Sequence, residues 1–428
     1  MLLIYVKTLT PRINYTFKQV CANILGYEIG FTSKIEEFVA HEGMKLSYGK
    51  QKMGNEFFIQ EAGLLNEQGF SDVDLKFYSW DKTTCFFKVS ERSDIPYDIF
   101  SASFYLLSRY EEYLPHVKDD FGRYPFEESI GYKHDFLEQP VVDLWAYKFN
   151  TLLCERFSKD NSVKRKFQNK NVLAVSEAYK YRKKGLVRSI GASLRDFFKL
   201  DVSDLIERFK VLFFITKDPY DIYDGLVKES KQNHYKWHFL FQLSNYSINS
   251  KNVSYNKIKY HTLIKSMGDY GEIGLLPGYE ALYSFATLKL EKKRWESIVN
   301  RPLSFVGSYN FDLNLPTLYN NFDKLEIEQD FSMSYAEAVG FRAGTCTSFL
   351  YYDINFERIS PLVLEPVVFN SNCIKHHTFF ELKTQLEKIK EDVEKVGGSL
   401  NILMNNKDFD DWNKERKYLN LITYLNEK

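Results

Sequence analysis

The sequence predicts an α/β chain in two parts, a smaller α/β domain followed by a (β/α) barrel, closed or incomplete. Three observations lead there. At 428 residues the chain exceeds one ordinary core. The tract "SKDNSVKRKFQNKN" (158–171) is nearly free of apolar residues and marks a boundary. Beyond it, strand-like runs alternate with helical stretches about seven times over about 260 residues.

The first part, residues 1–165, opens on "LLIYVK", an apolar run that reads as a strand, and "DLKFYSW" reads as another. "YTFKQVCANIL" and "DIFSASFYLLSRYEEYL" space their apolar residues three and four apart, the period of a helix with one buried face. "DDFGRYPF" is a turn-rich loop, and "PVVDLWAYKFNTLLCERF" is a closing helix. In the second part, residues 166–428, the strand candidates are "VLAVS", "KVLFFIT" (210–216), "WHFLFQLS" (237–244) and "EIGLLP" (272–277). "LSFVGSY" (303–309), "PLVLEPVVF" (361–369) and "LNILMNN" (400–406) complete them. Between lie "DIYDGLVKESKQ", "YEALYSFATLKLEKKRWESIV" and "TFFELKTQLEKIKEDVEKVGG", the last stopping on Gly397 and Gly398. No internal repeat or low-complexity segment interrupts this order.

Composition excludes several classes. Hydrophobic content of 44% and charged content of 27% are those of a globular protein. The 36 Phe and 30 Tyr read first as core packing and second as sugar-stacking surface. Lys plus Arg and Asp plus Glu are equal at 57 each, so no global field draws the chain to nucleic acid or an anionic membrane. "KYRKKGLVRSIGASLRDFFK" is locally basic and reads as a solvated helix face. The five cysteines are scattered without a CxxC, which excludes a zinc knuckle and a disulfide framework and suits a reducing cytoplasm. The apolar run of "MLLIYVKTLTPR" is too short for a signal segment, and no run approaches the ~20 apolar residues of a membrane span.

The stretch "KNVLAVSEAYKYRKKG" (170–185) is a strand opening into a polar segment, the place where α/β enzymes put catalytic carboxylates. Its tip carries Ala174, Ser176 and Glu177. "FSASFYLLSRYEEYLP" and "FGRYPFEESIGYKHDFLEQPVVDLWA" in the first part, with "AYKYRKKGLVRSIGASLRD", "DPYDIYD", "EIGLLPGY", "DFSMSYAEAVGFRAGTCTSF" and "VGGSLNILMNN" in the second, carry a resemblance. Over essentially the whole chain the sequence resembles bacterial polysaccharide deacetylase-like (NodB-homology) proteins with an uncharacterised N-terminal α/β domain. The resemblance implies a deformed (β/α)7-type barrel like that of carbohydrate esterase family 4. It also implies metal-assisted amide hydrolysis: an Asp and two His hold a divalent metal, a second Asp is the base, and a His is the acid.

At the matching positions this chain departs from that pattern. Ala174 and Ser176 stand where the resemblance implies the two aspartates, and Leu276 where it implies a histidine ligand. Gly307 and Tyr309 replace an arginine and a histidine, Met404 and Asn405 replace the Trp-His pair, and Asn406 is kept. Alanine and leucine cannot ligate, and a neutral hydroxyl is a poor ligand for such a cation. Glu177 points away from Ser176 unless the strand has already ended. Arg342 is retained; it reads first as a salt bridge supporting the barrel and second as a contact to a carboxylate or sugar oxygen. Tyr279 and Tyr335 flank the expected mouth as sugar-binding candidates. His234, His238, His261, His376 and His377 lie outside the expected tips and read as surface or packing residues.

The expectation is a deacetylase-like protein with a degenerate metal site, a pseudoenzyme or carbohydrate-binding protein of cell-surface polysaccharide metabolism, located in the cytoplasm. No cofactor and no confident catalytic residue are expected. One alternative is an active N-deacetylase holding zinc through displaced ligands such as Glu177, Asp218, Asp221 or Glu272. The other is a structural protein that binds a protein partner through residues 1–165.

Overall fold

A computed structural model of the chain describes residues 1–159, 163, 165–182, 202–308, 313–409 and 412–426. The N-terminal part is built on four parallel strands, β1 (Leu2–Val6), β2 (Ile29–Thr32), β3 (Met44–Gly49) and β4 (Phe57–Gln60), in the order β2-β1-β3-β4. The helix Pro11–Phe17 starts with Pro at its first turn and the Thr10 hydroxyl accepting the Ile13 N–H, then continues as a π-helical segment, Lys18–Ile24. The helix Ile99–Leu107 is buried along its whole length, with Asp98 capping it, and Phe100 stacks on Phe17 at 3.7 Å between ring centroids.

Two sequence expectations narrow here. "DLKFYSW" pairs only through β5 (Tyr78–Trp80), in a hairpin with β6 (Thr83–Cys85). "DIFSASFYLLSRYEEYL" is two helices, Ile99–Leu107 and Tyr110–Tyr113, because Arg109 between them is left-handed at φ 55°. The closing helix runs Val141–Phe157.

The C-terminal part is a closed barrel. Its strands are β7 (Gln168–Val175), β8 (Trp237–Phe241), β9 (Glu272–Leu275), β10 (Phe305–Val306), β11 (Gln329–Met333), β13 (Arg358–Asn370) and β14 (Ser399–Asn405), with β12 (Phe349–Asp353) antiparallel on β13. Among the described residues, β7-β8-β9-β10-β11-β13-β14 are all parallel, and β14 returns to pair with β7. The α/β fold with a seven-stranded parallel barrel behind a smaller α/β domain is therefore present. Inside the ring, Val172, Ala174, Leu240, Leu276, Phe305, Phe331, Val367 and Leu403 form a core of their own, separate from the core under the helices. Side chains fill the barrel.

One strand candidate was misplaced. "KVLFFIT" is the end of the helix Val202–Leu212 and the turn after it, where Phe213, Phe214 and Ile215 are 72%, 79% and 71% exposed. A short apolar run does not separate strand from helix by periodicity alone. The seventh strand is β11, "QDFSM", whose buried Asp330 and Ser332 disguise it. Pairing in "LSFVGSY" is limited to Phe305 and Val306, and Tyr309 lies outside the described residues, as do residues 183–201 of the basic segment. "YEALYSFATLKLEKKRWESIV" splits into Tyr279–Tyr283 and Phe285–Val299, with Ser284 capping the second helix.

Buried polar contacts fasten the N-terminal part to the barrel. Arg12 pairs with Glu357 at 2.5 Å, and Asp143 accepts from the Thr345 hydroxyl at 2.6 Å and the Cys346 N–H at 3.0 Å. No helix among the described residues is long and apolar enough to cross a membrane.

Candidate functional site

Parallel strands bring their C-terminal ends to one face, and here five of the seven ends change from apolar to small and polar. Ser176 follows β7, Ser308 follows β10, Ser332 and Ser334 end β11, and Asn370 and Asn405 end β13 and β14. These groups bond one another. The Asn405 Nδ2 donates to the Ser176 hydroxyl at 3.1 Å, and the Asn405 N–H donates to the Ser371 hydroxyl at 2.9 Å. The Ser308 N–H donates to the Ser332 hydroxyl at 2.8 Å, which donates to Asp330 at 2.6 Å. Burial pushes the Asp330 carboxyl up to about 6.

Directly beneath lies the apolar plug. Ala174 is fully buried, and Leu276 is 2% exposed. Gly307 is there for space: a Cβ on it would stand 2.7 Å from Leu240 Cδ1 and 3.2 Å from Phe331 Cβ. The positions at which the resemblance implies a base, a metal ligand and an arginine thus serve close packing. Hydrocarbon, hydroxyl and amide groups do not fit a zinc-type cation that is normally held by imidazole and carboxylate. Among the described residues, no group of three or more His, Cys, Asp or Glu could hold a metal ion. An Ala174→Asp variant is expected to bury an unpaired carboxylate and lose several kcal/mol, on the order of the desolvation penalty of one ion. Urea unfolding at pH 7 measures the loss.

A cavity of about 220 Å³ opens over the plug, lined by Ser176, Glu177, Gln242, Leu276, Tyr279, Ser308 and Lys407 among others. Because β7 ends at Val175, Glu177 reaches this cavity, where its carboxylate pairs with Lys407 at 2.6 Å. The Asn406 side chain donates to the Glu177 carbonyl at 2.8 Å and fixes the turn. Tyr279 is 37% exposed on the turn after β9. That turn is anchored from below, since the Gly278 N–H donates to Glu291 at 2.9 Å, and burial pushes the Glu291 carboxyl up to about 7.

The other candidates lie elsewhere. Asp218 accepts the N–H groups of Lys180, Tyr181 and Arg182 at 2.8 to 2.9 Å, which organises the turn after β7. Asp221 lies with Asp218 in the segment between the helices Val202–Leu212 and Tyr223–Asn233, its N–H on the Asp218 carbonyl. Glu272 begins β9 and so stands at the opposite end of the barrel. Arg342 is 3% exposed, with Nε and Nη2 on the two Glu112 oxygens at 2.8 and 2.7 Å and Nη1 on the Ser334 carbonyl at 2.9 Å. The Tyr335 hydroxyl accepts from Arg109 at 3.1 Å, and its side chain is buried. Tyr279 therefore belongs to the mouth, whereas Arg342 and Tyr335 belong to the junction with the N-terminal domain.

His376 stands beside the mouth, 3.9 Å from Glu337. His238 packs inside the barrel against Phe305 and Phe331. Gln242, Ser308 and Lys407 were missed from the sequence. For Ser308 the signal was present as apolar runs that end repeatedly in Ser or Asn, as in "VLAVS", "FVGS", "FSMS", "VVFNS" and "ILMNN", whereas Gln242 and Lys407 follow no such pattern.

Comparison with known proteins gives limited matches. Residues 2–158 match a family described as of unknown function, DUF7033. No curated protein matches. Among solved structures, one described as a "putative polysaccharide deacetylase from Mycobacterium smegmatis" is similar at a TM-score of 0.39 and 10% identity, over 61% of this chain and 84% of that one.

Proposed function

We propose that this protein binds carbohydrate at the barrel mouth and performs no metal-assisted deacetylation there. The observation that carries this reading is the pairing of a hydroxyl- and amide-rich rim with an apolar plug at the positions where a metal would need donors. Sugars are recognised by such neutral donors and acceptors together with an aromatic face, here that of Tyr279. The ion pair of Glu177 with Lys407, with Lys251 beside it in the lining, adds charged hydrogen-bond partners of both kinds to this neutral rim. We assign the protein a place in cell-surface polysaccharide metabolism on the sequence resemblance. A cytoplasmic location is supported by the five free cysteines, four of them buried.

The test combines metal analysis, acetate release and binding. Purified protein is expected to carry no stoichiometric zinc, to release no acetate from N-acetylated sugars, and to bind saccharides measurably by calorimetry. Tyr279→Ala is expected to weaken that binding about threefold to tenfold, the worth of one aromatic contact. Stoichiometric zinc together with acetate release would overturn the proposal in favour of an active deacetylase.

A further inference from the structure

We infer that the N-terminal domain supplies the second wall of the binding site through its loop 119–126, and that the ligand is an extended, uncharged glycan. The inference rests on the carbohydrate reading of the mouth and extends it. The mouth cavity shares Asn249 and Tyr279 with a second cavity of about 330 Å³, which reaches Glu337 and His376. That cavity in turn shares Phe121 and Arg123 with a third of about 170 Å³ against the loop itself. Shared walls make one groove running from the barrel mouth onto the N-terminal domain. The mouth alone, at about 220 Å³, lies below the ~300–1,000 Å³ of a pocket for a drug-sized ligand, so a larger ligand must continue outward.

The loop is built to hold an aromatic ring in that groove. The Asp119 carboxylate accepts the N–H groups of Phe121 at 2.9 Å and Arg123 at 2.8 Å, and the Arg123 guanidinium at 2.7 Å. Arg123 also reaches across to the barrel's Glu337 at 3.1 Å, and its guanidinium carbon lies 4.8 Å from the centre of the Phe121 ring. Phe121 is consequently 68% exposed yet seated on a fixed cation. An exposed ring on an ordered loop gives a ligand a platform whose ordering cost is already met. Over the three cavities the five Lys and Arg side chains, Lys251 and Lys375 among them, are matched by five carboxylates, so no net charge selects a polyanion.

The experiment is calorimetry with monomers of N-acetylglucosamine, glucose and mannose at millimolar concentration, and with their β-1,4-linked pentamers. For the sugar that binds, the pentamer is expected to bind more tightly than the monomer. Phe121→Ala is expected to weaken the pentamer about threefold to tenfold and leave the monomer unchanged. Phe356→Ala, a ring 70% exposed away from the groove, is the control and is expected to change neither. A pentamer no tighter than its monomer, or a Phe121→Ala variant with full pentamer affinity, overturns the two-domain groove while the mouth reading stands. Failure of every sugar at both lengths overturns both.

Discussion

Replacing Glu112 with alanine is expected to destabilise the folded chain by about 3–5 kcal/mol, because it leaves two buried arginines without their shared partner. The Glu112 side chain is 3% exposed and receives Arg342 on both oxygens, at 2.8 and 2.7 Å, and Arg109 at 2.7 Å. These arginines come from opposite sides of the junction, so Glu112 fixes the N-terminal domain to the barrel at a desolvated point. Glu111 still holds Arg109 at 2.7 Å in the variant, which makes Arg342 the group left stranded. A double variant, Glu112→Leu with Arg342→Met, is therefore expected to recover much of the loss, since a buried pair exchanged for packed apolar groups is often neutral. Despite its burial, the Glu112 carboxyl is held down to about 2 by Arg342 and then Arg109. A depressed carboxylate stabilises fully above its unfolded value of 4.5 and loses that contribution as pH falls from 4.5 to about 2. The shift corresponds to about 3 kcal/mol. Urea unfolding at pH 7 and at pH 3 should show the single variant far below wild type at the first and closer to it at the second. A deficit under about 1 kcal/mol at pH 7 would remove Glu112 from this role, since that is the worth of an ordinary exposed pair.

The barrel was legible where strands are apolar on both faces, and it was obscured where they are not. β7 and β14 are fully buried over their C-terminal halves, so "VLAV" and "LNILMN" declare themselves. β11 hides because Asp330 and Ser332, two apart on one face of the strand, satisfy each other while buried, so polar residues stand where an apolar run would mark a strand. The short strands β2 to β4 carry Gly, Thr, Ser or Gln among their apolar residues and gave no run long enough to read. At the candidate site, the lack of carboxylate and imidazole at Ala174 and Leu276 could be seen by resemblance. What fills the space could not. The rim is assembled from Ser176, Ser308, Ser332 and Asn405, which only strand register places on one face. Arg342 and Glu112 are 230 residues apart, and no local pattern links them. The reach of Glu177 depended on where β7 ends, the boundary that sequence patterns define least well.

Glu291 offers a second large effect, opposite in sign to that of Glu112. Its carboxyl is pushed up from 4.5 to about 7 by burial, with the Gly278 N–H and Arg294 opposing the shift. A raised carboxyl binds its proton more tightly in the folded than in the unfolded chain. The contribution of Glu291 to stability is thus greatest below pH 4.5 and declines as pH climbs from 4.5 to about 7, by about 3 kcal/mol in all. Glu291→Gln keeps an oxygen for the Gly278 N–H and removes the titration. The variant is expected to be more stable than wild type at pH 8, by at most about 3 kcal/mol less the charge-assisted part of that hydrogen bond. At pH 4 the two should nearly coincide. Asp330, raised to about 6, adds its own decline between 3.8 and 6, but it is present in both proteins and cancels in the difference. Parallel stability curves for wild type and variant from pH 4 to 8 would rule out titration of Glu291 in this window. The effect also reaches the mouth, because Glu291 holds the turn that carries Leu276 and Tyr279. Ionisation strengthens its bond to Gly278 while making the buried charge more costly, so loop order and global stability respond to pH in opposite directions. Hydrogen exchange of the Gly278 amide separates the two. It should slow relative to the barrel core as pH rises through 7 in wild type, after correction for the intrinsic rate, and show no such trend in Glu291→Gln.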